Sequence, residues 1–339
     1  ALAEDGEGHL WVGTGGDGLV RRDRRSGELL IFGRGLPGGL GGDRIFSLLM
    51  DARGELWVGT EEGLFRYDRA LGVFEAFPRP GKDASGLPAA PVRALCEDVR
   101  GRFWAGTDEG LCLVDRPSGA VRIFRHIPTD PRSLARNDVR ALCPDGDGAL
   151  WVGTGGAGLD RLDAAGEFFT HHLGGSTVRA LCRDGRGDAW VGTWEGGLFR
   201  YDRETGGFEG FRHSPGRPES VGRNTVNCLL VDRSGLLWIG LEGGGAASLN
   251  LRAAENFPLY THDPDDPSGL SSPMIWALGR EPSGAVWVGT DRGLDRIDRN
   301  WKTVRHFRPD PQIPDALAGT SLRAMLADSR GFLWVGVAG

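Results

Sequence analysis

Four arginines, Arg93, Arg140, Arg179 and Arg323, stand at one step of a pattern that recurs along the chain, and Phe46, Asn227 and Trp276 fill the same step elsewhere. A guanidinium grips a carboxylate through two parallel hydrogen bonds, and aromatic rings stack on the faces of sugars. Brought to one rim, these seven side chains could hold an acidic sugar or a small carboxylate. The competing reading is that each arginine is neutralised by a carboxylate in a nearby turn, such as Glu62, Glu109, Glu195 or Asp291. Trp194 is a further candidate, because its turn position is otherwise filled by Gly15, Glu61, Asp108, Gly155, Glu242 and Asp291. A tryptophan there is either a platform for a sugar or peptide, or packing against a neighbouring loop.

The elements that must position these residues come from a repeat. Trp11, Trp57, Trp104, Trp151, Trp190, Trp238, Trp287 and Trp334 each follow an Asp-x-x-Gly-like turn and open a Trp-Val-Gly-Thr motif or a close variant. Their spacings are 46, 47, 47, 39, 48, 49 and 47 residues, a period that marks a β-propeller array. In the unit from Pro91 to His126, four β-like runs are separated by tight turns at Asp98-Val99-Arg100-Gly101, Asp108-Glu109-Gly110 and Pro117-Ser118-Gly119. The second run is apolar or small on both faces, as a sheet stacked between two others requires. This predicts an all-β chain, a propeller of four-stranded antiparallel blades. Seven repeats fill residues 1–312, and a partial eighth over 313–339 adds a half-blade of sequence, all within a single domain spanning 1–339. A seven-bladed ring needs only one of the two terminal strand pairs, and an eight-bladed ring lacking half a blade is the alternative. The first strand lies nearest a propeller's axis, so the seven aligned side chains are expected around the mouth of the central channel. Long fourth-to-first connections, such as Ile127 to Asp138, share that face with the second-to-third turns.

The combination of Asp-x-x-Gly-x-Leu-Trp-Val-Gly-Thr, Gly-Gly-Leu-x-Arg-x-Asp and a Ser-Leu-x-x-Asn-x-Val connector resembles the two-component regulator propeller family. Its fullest matches are Gly148–Thr154 with Gly158–Asp163, and Trp190–Thr193 with Gly197–Asp202. Two units depart from it, at Leu241–Ala246 and at Val337–Gly339. The resemblance implies the sensory part of a bacterial hybrid histidine kinase or a related signalling protein, periplasmic or otherwise extracytoplasmic, several of whose relatives answer to carbohydrates. It further implies a ligand that biases the arrangement of two partner chains, hence a homodimer of the full-length protein.

Composition narrows the alternatives. The net charge is −6, so no basic field exists for nucleic acid or an anionic membrane, and no run approaches a membrane span. Lys82 and Lys302 are the lysines; all other basic side chains apart from histidine are arginine. The cysteines number five, with Cys96, Cys143 and Cys182 at one repeat position. Packed sheets lie ~10 Å apart, beyond the ~7 Å reach of a disulfide, so free, mostly buried thiols are expected. No Cys-x-x-Cys pair suggests a metal cluster. His126, His172, His213 and His262 fall at the ends of fourth strands, spread around the rim, where they cannot converge on one ion. Neither a metal nor a cofactor is expected. The Asp-box of sialidase-type propellers looks similar, but here the Asp lies one residue too far from the Gly, and Tyr67, Tyr201 and Tyr260 form no recognisable pair with a glutamate. No histidine takes the channel-facing place that a streptogramin-lyase-like enzyme would use. The expectation is therefore a non-enzymatic domain that binds a small molecule or oligosaccharide on its top face. A protein-interaction scaffold and a lyase-type enzyme are the alternatives. Trp301, in a third-to-fourth turn, is read as packing.

Overall fold

The computed structural model describes residues 1–24, 26–78, 86–215, 220–232, 235–251, 258–264, 268–281, 283–298, 304–309, 317, 319–328 and 332–338. Seven four-stranded antiparallel sheets follow one another along the chain, and a two-stranded sheet comes last. They cover residues 2–32, 45–77, 92–124, 139–172, 177–211, 226–260, 275–307 and 321–338. Each of the seven is a meander in chain order, the blade of a β-propeller. No helix forms among the described residues. The chain divides into two compact units, Ala1–Thr177 and Val178–Gly339.

Within each unit, first strand packs on first strand. Leu2–Glu4 meets Ile45–Met50, which meets Val92–Glu97, which meets Val139–Pro144. In the second unit, Val226–Val231 meets Ile275–Arg280, which meets Ser321–Ala327. The shortest repeat spacing has a simple origin: fourth strand Phe169–His172 is joined to first strand Thr177–Arg183 by residues 173–176 alone, with Leu173 in the left-handed region at φ 52°.

The signature tryptophan ties a hairpin to a core. In six repeats its indole N–H donates to a carboxylate six residues earlier, over 2.7–3.0 Å: Asp5–Trp11, Asp51–Trp57, Asp98–Trp104, Asp184–Trp190, Asp232–Trp238 and Asp328–Trp334. The other oxygen of Asp98 accepts the Arg100 and Arg102 backbone N–H groups, which closes the first-to-second turn. The turn glycine that follows, Gly101, has φ +73°, where a side chain would be strained. The indoles of Trp11, Trp57, Trp104, Trp190 and Trp238 are buried. Trp11 sits 4.8 Å from Tyr67, and Trp57 sits 4.7 Å from Phe103, each in the following blade. Blade seven carries Glu281 in the aspartate's place, and that carboxylate holds Arg296 instead.

The motif glycine serves close approach. A Cβ on Gly106 would lie 2.6 Å from the Val139 side chain of the next blade, and one on Gly192 would lie 2.6 Å from Val226. Gly13 and Gly240 face Ile45 and Ile275 in the same way. At the far end of the second strand, the threonine hydroxyl donates to the carbonyl of the turn glycine, as in Thr107 to Gly110 at 2.8 Å.

No disulfide forms among the described residues: Cys96 and Cys112 are buried, and Cys143, Cys182 and Cys228 are partly buried. Burial pushes the Cys112 and Cys228 thiols up to about 12, so neither is a ready nucleophile.

Replacing Gly106 by Ala should cost about 1–3 kcal/mol through overpacking. Val139→Ala in the same chain should recover part of that loss, which a denaturant double-mutant cycle would measure. Truncating Trp104 to Ala should cost roughly 3–5 kcal/mol. The acid limb is also set by these turns. Burial alone would raise Asp51 and Asp98, but the indole and turn N–H groups outweigh it and hold both below the usual carboxylate value. Groups depressed on folding stabilise above the unfolded value, about 4 for an aspartate, and that stability is lost as pH falls through the folded one. Denaturant midpoints measured from pH 5 downward should therefore drop below pH 4, and less steeply in Asp98→Asn.

Candidate functional site

The step of the repeat that carries the arginines is a β-bulge. In blade three, Val92 pairs with Thr107 while Ala94 pairs with Gly106, so Arg93 is the surplus residue. Phe46, Arg140, Asn227, Trp276 and Arg323 occupy the same surplus place in their own first strands. A bulge kinks the strand and re-aims one side chain, so a single recurring irregularity presents a residue whose chemistry differs from blade to blade. Arg179 lies two residues into first strand Thr177–Arg183, at the aligned position.

In the first unit both bulge arginines are held by carboxylates. Arg93 binds Asp108 bidentately, Nε to Oδ1 and Nη2 to Oδ2, the latter at 2.8 Å. The Asp108 hydrogen bond raises the Arg93 pKa. The guanidinium also lies 5.0 Å from the Phe46 ring, and Arg44 lies 5.5 Å from it. Arg140 turns back onto Asp138, Nη2 to Oδ2 at 2.8 Å.

In the second unit Arg179 donates to Glu242 Oε2 at 2.7 Å and to the Asn227 side-chain carbonyl. Its guanidinium covers the Trp194 ring at 3.8 Å. Trp194 is 46% exposed at the end of second strand Ala189–Trp194, so it joins the arginine position as one cluster. Asn227 completes its own bonding through Nδ2 to the Ile275 carbonyl at 3.0 Å. Arg323 stacks on Trp276 at 3.6 Å.

Three of the four arginines therefore face carboxylates, and the carboxylates are Asp108, Asp138 and Glu242. Of the four turn acids expected from sequence, Glu62 pairs with Arg34 instead, and Asp291 keeps a buried Oδ1 without a hydrogen bond. Arg323 forms no ion pair among the described residues.

The histidines have work that sequence reasoning missed. His126, His213 and His262 place Nδ1 on the carbonyls of Leu134, Val221 and Leu270, at 2.8, 3.0 and 2.7 Å. Each spacing is eight residues, so a histidine that precedes the connector's Leu or Val by that interval was a readable signal. Ser133 and Asn137 fasten the same connector by accepting the Ile127 and His126 backbone N–H groups. His171 and His306 instead meet the buried third-strand carboxylates Asp160 and Asp295, both at 2.7 Å. Burial raises Asp160; burial alone would lower His171, but the Asp160 contact outweighs it and raises that pKa. No cluster of three or more His, Cys, Asp or Glu suited to a metal ion occurs among the described residues. Trp301 lies outside the described residues.

Blades of this build define the class as a β-propeller, and solved structures agree. The chain matches the Dos1 propeller with a TM-score of 0.69 at 12% identity, covering 99% of this chain and 89% of that one. The computationally designed Ika8 protein matches with a TM-score of 0.69 at 14% identity, over 98% and 94%. The extracellular domain of the putative hybrid two-component system BT3049 from B. thetaiotaomicron matches with a TM-score of 0.61 at 23% identity. That match covers 99% of this chain and 43% of the other, so this chain spans less than half of its length. Among curated proteins, none matches in sequence. The two-component regulator propeller model matches four segments of the chain, residues 39–62, 86–109, 133–156 and 172–195.

The Arg93–Asp108 pair is about one-third exposed on both sides. A double-mutant cycle with Arg93→Gln and Asp108→Asn should give a coupling no larger than about 1 kcal/mol. Such a value would show that the pair neutralises the rim more than it stabilises the fold.

Proposed function

We propose that this chain is the ligand-sensing propeller of a bacterial two-component-type signalling protein, working without catalysis. Its ligand is a small molecule or oligosaccharide taken at the end of the blades where the first-strand bulges lie. The observation that carries this reading is the bulge series itself. One backbone irregularity recurs along the repeat, and the residues placed on it are Arg, Asn, Phe and Trp. Core packing does not call for arginine or asparagine at such a step, whereas recognition of carboxylates and sugars uses both these polar groups and exposed aromatic rings. The repeat family and the likeness to an extracellular domain of a putative hybrid two-component system support a signalling role outside the cytoplasm. Ligand binding would then bias the arrangement of two copies in the full-length protein, through its different affinity for two states.

A thermal-shift panel of neutral and acidic oligosaccharides, small carboxylates and divalent cations tests this. A ligand at a hundred times its dissociation constant should add about 2.7 kcal/mol of stability. Mutating the bulge arginines should remove the shift. A shift confined to calcium or magnesium would favour the lyase reading. A panel without any shift would overturn the small-molecule reading in favour of a protein-interaction scaffold, for which outer strand Leu29–Phe32 exposes Leu29, Leu30 and Ile31.

A further inference from the structure

The ion pair of blade three is split in two at the C-terminal end of the repeat series. In blade three, bulge residue Arg93 meets Asp108, the residue that follows the motif threonine. Blade seven keeps the acid as Asp291, after Thr290, but its bulge residue is Trp276. The final two-stranded sheet keeps the arginine as Arg323, but Ala338 stands at the register position of Asp108. An acid and a base are thus left on neighbouring sheets, too far apart to form an ion pair with each other.

Both lie in one neighbourhood. Ile275 pairs with Thr290, which sets bulge residue Trp276 beside the turn that begins at Asp291. Gly289 lies against Leu322, whose Cβ is 3.1 Å from where a glycine Cβ would stand, and Leu322 is flanked by Ser321 and Arg323. Arg323 closes the group by stacking on the Trp276 ring at 3.6 Å. Among the described residues, three polar atoms here are buried without a hydrogen-bond partner: Trp276 Nε1, Asp291 Oδ1 and Ser321 Oγ. Buried polar groups are ordinarily paired, so a local cluster of unpaired ones, beside a guanidinium that meets no acid among the described residues, marks a place built for a partner.

We propose that Trp276, Asp291, Ser321 and Arg323 form a subsite for a carboxylate that carries a hydrogen-bond donor on its neighbouring carbon, an α-hydroxy or α-amino acid. The carboxylate lies on Arg323 and accepts from the Trp276 indole N–H. The adjacent hydroxyl or ammonium donates to Asp291 Oδ1, and the Ser321 hydroxyl serves whichever group lies nearer. This rests on the reading that the bulge end of the blades takes a small ligand, and it names both the position and the chemistry.

The test is isothermal titration of the chain with L-lactate, L-alanine, D-galacturonate and propionate. L-lactate or L-alanine should bind at least ten-fold more tightly than propionate, which lacks the donor. If the ammonium is the matched group, Asp291→Asn should weaken L-alanine more than L-lactate; if the hydroxyl is, L-lactate should be the tighter ligand and the two losses alike. A preference for D-galacturonate over both would move the donor one carbon further and overturn the α-substituted class. Arg323→Gln should lose ten-fold or more, while Arg122→Gln, an equal loss of charge on an outer strand, should stay within two-fold. Unchanged binding in Arg323→Gln, or propionate binding as well as L-lactate and L-alanine, would overturn the subsite yet leave the ligand-binding reading of the face intact. No saturable binding of any of the four acids also overturns the subsite. Only silence across the wider thermal-shift panel would overturn that broader reading.

Discussion

The hydrogen bond from a buried indole to a buried aspartate is the constraint on which the rest of the blade depends. Either group alone would be expensive to bury; an unpaired polar group costs about 1–3 kcal/mol, and a charge more. Together they satisfy one another, and the second aspartate oxygen takes up the turn amides. Because Asp98 reaches Trp104 six residues on, the first-to-second hairpin has one register only. That register puts Gly106 opposite Val139, which lets the next sheet come close. The Thr107 hydroxyl on the Gly110 carbonyl then pins the other end of the second strand.

With the second strand pinned at both ends, a surplus residue has nowhere to go except the first strand, and it appears there as the bulge. The two ends of a blade consequently do different things. The Asp–Trp end repeats with little change and is consumed by stability. At the bulge end the framework is constant while the displayed side chain is free to vary, the division between scaffold and variable surface on which recognition sites are commonly built. The bulge arginines Arg93, Arg140 and Arg179 are already matched, through Asp108, Asp138 and Glu242, so none of these positions is a general anion trap. Arg323 is the position where that matching stops.

What could be read in the sequence followed from periodicity. The tryptophan spacing marked the blades, and the alternation around Trp104 marked sheets covered on both faces, because those signals are local and repeated. Alignment of the first strands also brought Arg93, Arg140 and Arg323 to one step, although nothing in the residue types announced a bulge there. Register is decided by contacts at both ends of the neighbouring strand, so a surplus residue is invisible until the pairing is known. Ion-pair partners were hidden for a related reason. Arg140 folds back on Asp138, and Arg179 reaches Glu242, 63 residues away in the next blade. The contact between Arg179 and Trp194 likewise joins two strands whose turn geometry sequence does not specify. The histidines were legible in principle. His126, His213 and His262 each precede the connector's Leu or Val by eight residues, but residue types alone do not say that the imidazole meets a backbone carbonyl there.

The most direct test of ligand binding at the bulge end is the tryptophan indole region of a proton–nitrogen NMR correlation spectrum, followed during addition of the small acids and oligosaccharides. Trp194 and Trp276 lie at that end of their strands, whereas Trp11, Trp57, Trp104, Trp190, Trp238 and Trp334 are locked to aspartates at the hairpin end. Binding at the bulges should move the Trp194 or Trp276 indole signals in a saturable way and leave the six locked signals in place. Movement of the locked signals with Trp194 and Trp276 unchanged would put the ligand at the opposite end of the blades and contradict it.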